Sequence, residues 1–144
     1  MIAIVCSEFN SKVTDGLLKG CLVALNKDGV SSEKIDIYKV PGAFELPGKV
    51  KLLTIGDTSY DAIITLGCVI RGETDHYHYI SQAVTDGIMS LTIELDSDYP
   101  KIIFGVLTCQ SKELAIARSN SDMDKNKGYE AGKAALKMIS TNKD

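Results

Sequence analysis

Four short stretches dominated by branched and other apolar residues, at positions 2–6, 35–40, 62–70 and 102–107, each lead into a segment whose apolar residues recur every three or four places. This alternation is the strongest constraint on how the chain can fold. The short runs read as strands and the spaced segments as helices. After the first run, Val13, Leu17, Leu18, Cys21, Leu22 and Leu25 share one helical face, with Asn10 or Ser11 able to cap its start and Gly29 able to end it. The second run stops at Pro41-Gly42. A shorter helix then carries Leu46, Val50 and Leu53 on one side, with Pro47 in its first turn, where a missing N–H is tolerated. Ile80, Val84, Ile88, Leu91 and Leu95 mark a long helix after the third run. Helical stretches around 114–118 and 129–139 follow the fourth.

Strands that alternate with helices form a parallel sheet covered on both faces, joined by right-handed crossovers. The expected fold is therefore α/β, a flavodoxin-like three-layer sandwich with a four-stranded parallel sheet. The 144 residues fit one domain, 1–144, with no internal repeat or linker. A net charge of −3 argues against nucleic-acid binding, and no run of Lys or Arg suits an anionic membrane. No segment approaches the roughly 20 apolar residues of a membrane span. The opening MIAIVCSEFN has too short an apolar run and no basic leader for a signal peptide, so a cytoplasmic location is expected. Cys6, Cys21, Cys68 and Cys109 form no Cys-x-x-Cys pair. In a reducing compartment they read as small buried apolar residues, not as a disulfide framework or a zinc site.

Open parallel sheets bind ligands beyond the carboxyl ends of their strands. Four loops fall there: Ser7-Glu8-Phe9-Asn10, Pro41-Gly42-Ala43-Phe44-Glu45, Arg71-Gly72-Glu73-Thr74-Asp75-His76 and Thr108-Cys109-Gln110. In the third, a glycine and a threonine at a helix start offer N–H groups, a hydroxyl and the positive end of a dipole. Such a set serves as an anion site, and Thr74 or Asp75 serves equally as a plain N-cap. No Gly-x-x-x-x-Gly-Lys pattern is present, which sets a nucleotide P-loop aside. His76 is either a proton shuttle or a surface histidine. His78, two residues on, does not share its helical face, so the pair is a poor chelate and no metal is expected. Phe9 is a platform for a flat ring or an anchor on the core. Glu45 is a hydroxyl binder or a carboxylate suited to the helix dipole. Arg118 and Lys127 flank a polar stretch and either clamp a phosphate or lie solvated. From the residues alone the reading ends at an anion-binding enzyme with a histidine base.

In order, these stretches resemble the lumazine synthase family. The resemblance is carried by Ile2-Ala3-Ile4-Val5 with Phe9-Asn10, Val40-Pro41-Gly42-Ala43-Phe44-Glu45-Leu46-Pro47, Leu66-Gly67-Cys68-Val69-Ile70-Arg71-Gly72-Glu73-Thr74-Asp75-His76, Phe104-Gly105-Val106-Leu107-Thr108 and Asn126-Lys127-Gly128. It spans nearly the whole chain. It implies condensation of a ribitylamino-pyrimidinedione with 3,4-dihydroxy-2-butanone 4-phosphate to 6,7-dimethyl-8-ribityllumazine, phosphate and water, with no metal and no organic cofactor. It further implies that Phe9 stacks on the ring, that Ala43 and Glu45 hold the ribityl chain, and that the Val69-Ile70 backbone meets the ring carbonyls. Gly72, Glu73 and Thr74 would form the phosphate side, and His76 would move protons. Phe104, Arg118 and Lys127 would come from a neighbouring subunit, Arg118 binding phosphate.

The resemblance implies a homopentamer with active sites between subunits, or a stacked decamer, and riboflavin synthase as a candidate partner. Three departures stand out. The chain begins almost on its first strand, Cys109-Gln110 replaces the usual polar pair, and residues 119–125 lack the family's Gly-Thr-Lys-Ala-Gly-like run and are one residue longer. The first and third point away from a sixty-subunit shell, because the acidic loop 120–125 should project where pentamers would meet. Two rivals remain at this level: a non-catalytic flavodoxin-like module binding flavin or lumazine, and a phosphoacceptor receiver domain. The receiver would need clustered acidic residues after the first strand, and Glu8 alone does not supply them.

Overall fold

All four apolar stretches become strands of one parallel sheet in the computed structural model, which describes residues 1–141. The strands are β1 (Ile2–Ser7), β2 (Ile35–Val40), β3 (Ala62–Ile70) and β4 (Lys101–Cys109). Their order across the sheet is β2-β1-β3-β4. β1 and β3 occupy the centre and are buried almost throughout, which is why both read as unbroken apolar runs. β2 is an edge strand, and its sequence IDIYKV alternates accordingly.

Five α-helices cover the sheet: α1 (Ser11–Lys27), α2 (Leu46–Thr54), α3 (His76–Glu94), α4 (Lys112–Ala117) and α5 (Lys127–Thr141). Alternate strand residues face opposite sides. Ile2, Ile4, Cys6, Ile64 and Leu66 pack against Leu17, Cys21 and Leu25 of α1, Ala115 of α4 and Ala131 and Ala135 of α5. Ala3, Val5, Ile63 and Val69 pack against Leu46 and Val50 of α2 and Val84, Ile88 and Leu91 of α3. Two cores and one shared sheet make the three-layer sandwich expected from the sequence.

The boundaries differ from expectation where tertiary partners intervene. Asn10 occupies the cap position of α1 in a left-handed conformation (φ 63°), yet its side chain makes no cap bond. Its Nδ2 donates instead to the Cys68 carbonyl, 3.2 Å away on β3. Thr108 and Cys109 belong to β4 and not to the loop after it, because β3 runs on to Ile70 and gives them Val69 and Ile70 as partners. Ser7 likewise extends β1 by pairing with Val40. Leu95 lies just past α3 in extended backbone. α1 ends as expected at Gly29 (φ 88°), where Gly29 N–H donates to Asn26 and Val30 N–H to Leu25, the paired bonds of a Schellman motif. Pro47 sits in the first turn of α2. All four cysteines are buried and free. Burial pushes the Cys21 and Cys68 thiols up to about 12, so neither is a ready nucleophile.

The closest helix pair is α1 against α5. A Cβ on Gly128 would overlap the Leu17 carbonyl oxygen, and one on Gly16 would overlap the Ser119 carbonyl oxygen. Asn126, only 2 % exposed, fills the gap beside Gly20. Its Nδ2 donates to the carbonyls of Gly16 (3.2 Å) and Asn120 (2.9 Å), while its Oδ1 accepts the Tyr129 N–H at 3.0 Å and caps α5. That cap starts α5 at Lys127, two residues before the apolar periodicity begins at Tyr129.

Two alanine substitutions with opposite outcomes test this packing. Gly128→Ala should destabilise the fold by about 1–3 kcal/mol through overpacking. Gly48→Ala, in α2 with nothing near its Cβ direction, should stabilise it by about 0.5–1 kcal/mol. Urea midpoints at unchanged slope measure both, and a Gly128→Ala protein as stable as the parent would show that the helices separate at no cost.

Candidate active site

The order β2-β1-β3-β4 reverses the direction of winding between β1 and β3. Strand ends diverge there and leave a crevice at the carboxyl edge. A cavity of about 400 Å³ opens beside that point. It is lined by the loop after β1 (Phe9, Asn10), the turn after β2 (Gly42, Ala43, Phe44, Glu45), the end of β3 (Cys68, Val69, Ile70) and the start of α3 (His76, Tyr77, Ile80). The volume suits a ligand of one or two rings with substituents.

Backbone bonds place each wall. The pairing of β1 with β2 continues past the strands, Glu8 N–H donating to Val40 at 2.8 Å and Phe9 N–H to Pro41 at 2.9 Å. The chain then turns at Asn10, whose amide is tied to Cys68, and this leaves the Phe9 ring 71 % exposed at the mouth. A short 3-10 turn, Ala43–Glu45, follows Gly42. Glu45 Oε1 accepts the Gly42 N–H at 3.1 Å, so one carboxylate oxygen is engaged at home. The other retains its lone pairs for a hydroxyl donor. The cap reading and the binding reading of Glu45 are thus compatible.

Much the same holds for Thr74. Its Oγ1 accepts the His76 N–H at 3.3 Å, a local cap at the start of α3. A hydroxyl that accepts one bond still has its own proton to donate. Asp75 holds the cap position without a side-chain bond, and its carbonyl takes the His78 N–H at 3.0 Å. Gly72, Glu73 and Thr74 are exposed and stand in the loop leading to His76, outside the cavity lining. His76 is the first residue of α3, exposed and in the wall. The Tyr77 and His78 rings meet edge to face with centroids 5.1 Å apart.

The remaining expected residues lie elsewhere. Arg118 and Lys127 line a second cavity of about 390 Å³ built from the end of β4, α4 and the start of α5. Thr108, Cys109, Gln110, Lys125 and Glu130 share it. Arg118 caps the end of α4, and its carbonyl accepts the Lys127 N–H at 2.8 Å, which closes the loop between them. Burial raises the Cys109 thiol, and the nearby Arg118 charge offsets part of that. Phe104, half-buried in β4, packs toward the α2–α3 core and lines neither cavity.

One chain therefore gathers Phe9, Ala43, Glu45, Val69, Ile70 and His76 around one space, and Arg118 and Lys127 around another with no lining residue in common. The first cavity has no Lys or Arg in its wall; the second has three such cations. Phe44 and Tyr77 in the first wall and Lys125 in the second were given no site role from sequence, Asn10 was read there as a helix cap and Ile80 as part of a helix face. Among the described residues no three His, Cys, Asp or Glu side chains converge as a metal site, and no helix is long and apolar enough to cross a membrane.

The model of one known family, described as 6,7-dimethyl-8-ribityllumazine synthase, matches residues 1–143. With the match running almost end to end, the chain belongs to the lumazine synthase family, whose members are transferases of riboflavin biosynthesis.

Proposed function

We propose that this chain, acting as one unit over residues 1–144, condenses 5-amino-6-ribitylamino-2,4(1H,3H)-pyrimidinedione with 3,4-dihydroxy-2-butanone 4-phosphate. The product is 6,7-dimethyl-8-ribityllumazine, with phosphate and water released, and the setting is the cytoplasm. The amine of the pyrimidine adds to the ketone and loses water to give an imine. A proton leaves the carbon skeleton and phosphate departs. The ribityl-bearing nitrogen then closes the ring, and a second water is lost. No electron carrier is needed, because the oxidation level is redistributed within the four-carbon unit.

The observation that carries this reading is the composition of the first cavity. An exposed flat ring (Phe9), the terminal peptides of β3 (Val69 and Ile70), a carboxylate with one oxygen to spare (Glu45) and an imidazole (His76) converge there. They answer, in turn, a planar heterocycle, its carbonyl and N–H groups, a polyol chain and a series of proton transfers. Gly72, Glu73 and Thr74, beside the start of α3, supply N–H and hydroxyl donors on the phosphate side.

What the first cavity lacks is a cation to meet phosphate, and the second cavity holds three. The first is walled by the start of α3, the second by α4 and the start of α5, with no lining residue in common. A neighbouring chain that sets its Arg118 cavity against this chain's His76 cavity completes the site. Repeating that single heterologous contact closes a ring. We take the ring as a homopentamer, or two stacked as a decamer, with Phe104, Arg118 and Lys127 entering from the neighbour. Riboflavin synthase, which would consume the lumazine, is the candidate partner.

The chromophore of the product makes the central test direct. Mixing both substrates with the protein should raise lumazine absorbance above the spontaneous rate. A protein that binds the product but never forms it would be a binding module instead. His76→Ala should fold normally and lose about 10²–10⁴-fold in turnover, the usual contribution of a general acid–base group. Parental turnover in that variant, measured above background, would remove His76 from the mechanism. Light scattering should give a mass near five or ten chains. A sixty-chain particle, or a monomer that turns over, would contradict the shared-site arrangement.

A further inference from the structure

The second cavity contains a cation that the family resemblance does not point to. Lys125 lines it beside Arg118 and Lys127. The three are not equivalent. Lys127 Nζ lies 3.2 Å from Glu130 Oε1, one helical turn along α5. Neither Arg118 nor Lys125 forms an ion pair among the described residues. Three cations less the Glu130 carboxylate leave a net charge of +2 in the wall, carried in effect by Arg118 and Lys125. A phosphate monoester brings about −1.5 to −2 at neutral pH.

The backbone under Lys125 is also anchored. Its N–H donates to the Asp122 carbonyl at 3.0 Å, and the next residue is Asn126, locked between α1 and α5 by three side-chain bonds. Asp122 Oδ1 accepts the Asp124 N–H at 3.2 Å within the exposed loop, and neither carboxylate lines the cavity. The loop is acidic in composition, yet the face it gives the cavity is basic. An anchored backbone lowers the ordering cost of using a long side chain as an anion ligand.

We propose that Lys125 is a phosphate-binding residue, sharing the anion of the four-carbon substrate with Arg118, while Lys127 is held by Glu130. The proposal rests on the reading of Arg118 as the phosphate anchor. The longer 118–127 loop then moves the second phosphate cation from residue 127 to residue 125.

Steady-state kinetics on the assembled protein separate the two ideas. Lys125→Met should raise KM for the butanone phosphate about tenfold, with KM for the pyrimidine within about twofold and the larger change in KM than in kcat. Inorganic phosphate, used as a competitive probe, should weaken by a similar factor. Lys125→Arg should restore most of both, and Lys127→Met should have the smaller effect. If Arg118→Met raises that KM but Lys125→Met does not, or if Lys127→Met exceeds Lys125→Met, the assignment to Lys125 is wrong. If Arg118→Met also leaves it unchanged, the phosphate reading of this cavity fails, and Lys125 falls with it.

Discussion

The contact between α1 and α5 decides where everything else in the site can stand. Gly16 and Gly20 on α1 face Ser119, Asn126 and the start of α5, where Gly128 and Gly132 bring backbone against backbone. Without side chains at these places the helices approach closely enough for Asn126 to reach the Gly16 carbonyl. That bond crosses 110 residues of sequence and closes the start of α5 onto the first helix. α1 thereby acts as a short strut between the two cavities. Its cap residue, Asn10, is tied to Cys68 in the wall of the first cavity, and Gly16 is tied to Asn126, between Lys125 and Lys127 of the second. Six residues of helix separate those anchors, about 9 Å. A shift at the glycine contact would move Arg118 and Lys125 relative to Phe9 without touching either.

The sheet contributes the complementary constraint. Parallel strands point all their carboxyl ends one way, so every strand delivers its following loop to one edge. The reversal of winding between β1 and β3 opens the crevice, and the polar groups at its walls are largely main-chain groups or side chains already bonded once. Glu45 illustrates this in the wall, and Thr74 does the same in the loop beside it. Each spends one acceptor on a local N–H, which fixes its rotamer, and keeps a second function for a ligand. Pre-set groups of that kind lose little freedom on binding.

The fold was legible because its signals are local. Branched runs alternating with periodic segments identify parallel strands and covering helices, and Pro47 and Gly29 behave as their chemistry requires. What escaped was set by distant partners. Thr108 and Cys109 look like a loop until Val69 and Ile70 pair with them. Asn10 reads as an ordinary cap, but the Cys68 carbonyl competes for its amide. The glycines at 16, 20, 128 and 132 carry no visible signature, since close helix approach requires knowing which helices meet. Most residues around the first cavity were legible through their motifs, Tyr77 and Ile80 excepted. Lys125 was not, because it sits in a run counted as acidic, and composition does not say which side chains of a loop line a cavity.

The division of charge bears on why such a site would be split between chains. Phe9 and Phe44 stand at the rim of the first cavity with 71 % and 59 % of their surface exposed, an arrangement that wastes apolar area unless something covers it. A neighbour placed over that rim would bury both rings and expel water from around His76. Proton transfer and phosphate departure both gain from that exclusion, because electrostatic interactions strengthen as the local dielectric falls. With Lys127 paired to Glu130, the two remaining cations, Arg118 and Lys125, are poorly tolerated beside a buried apolar rim in the absence of an anion. Set on the neighbour's wall, facing that rim, they are offset when the substrate dianion binds between the two walls. On the proposed reading, the chain stores its apolar platform and its cations apart, and the ring of subunits brings them together only where a dianion can lie between.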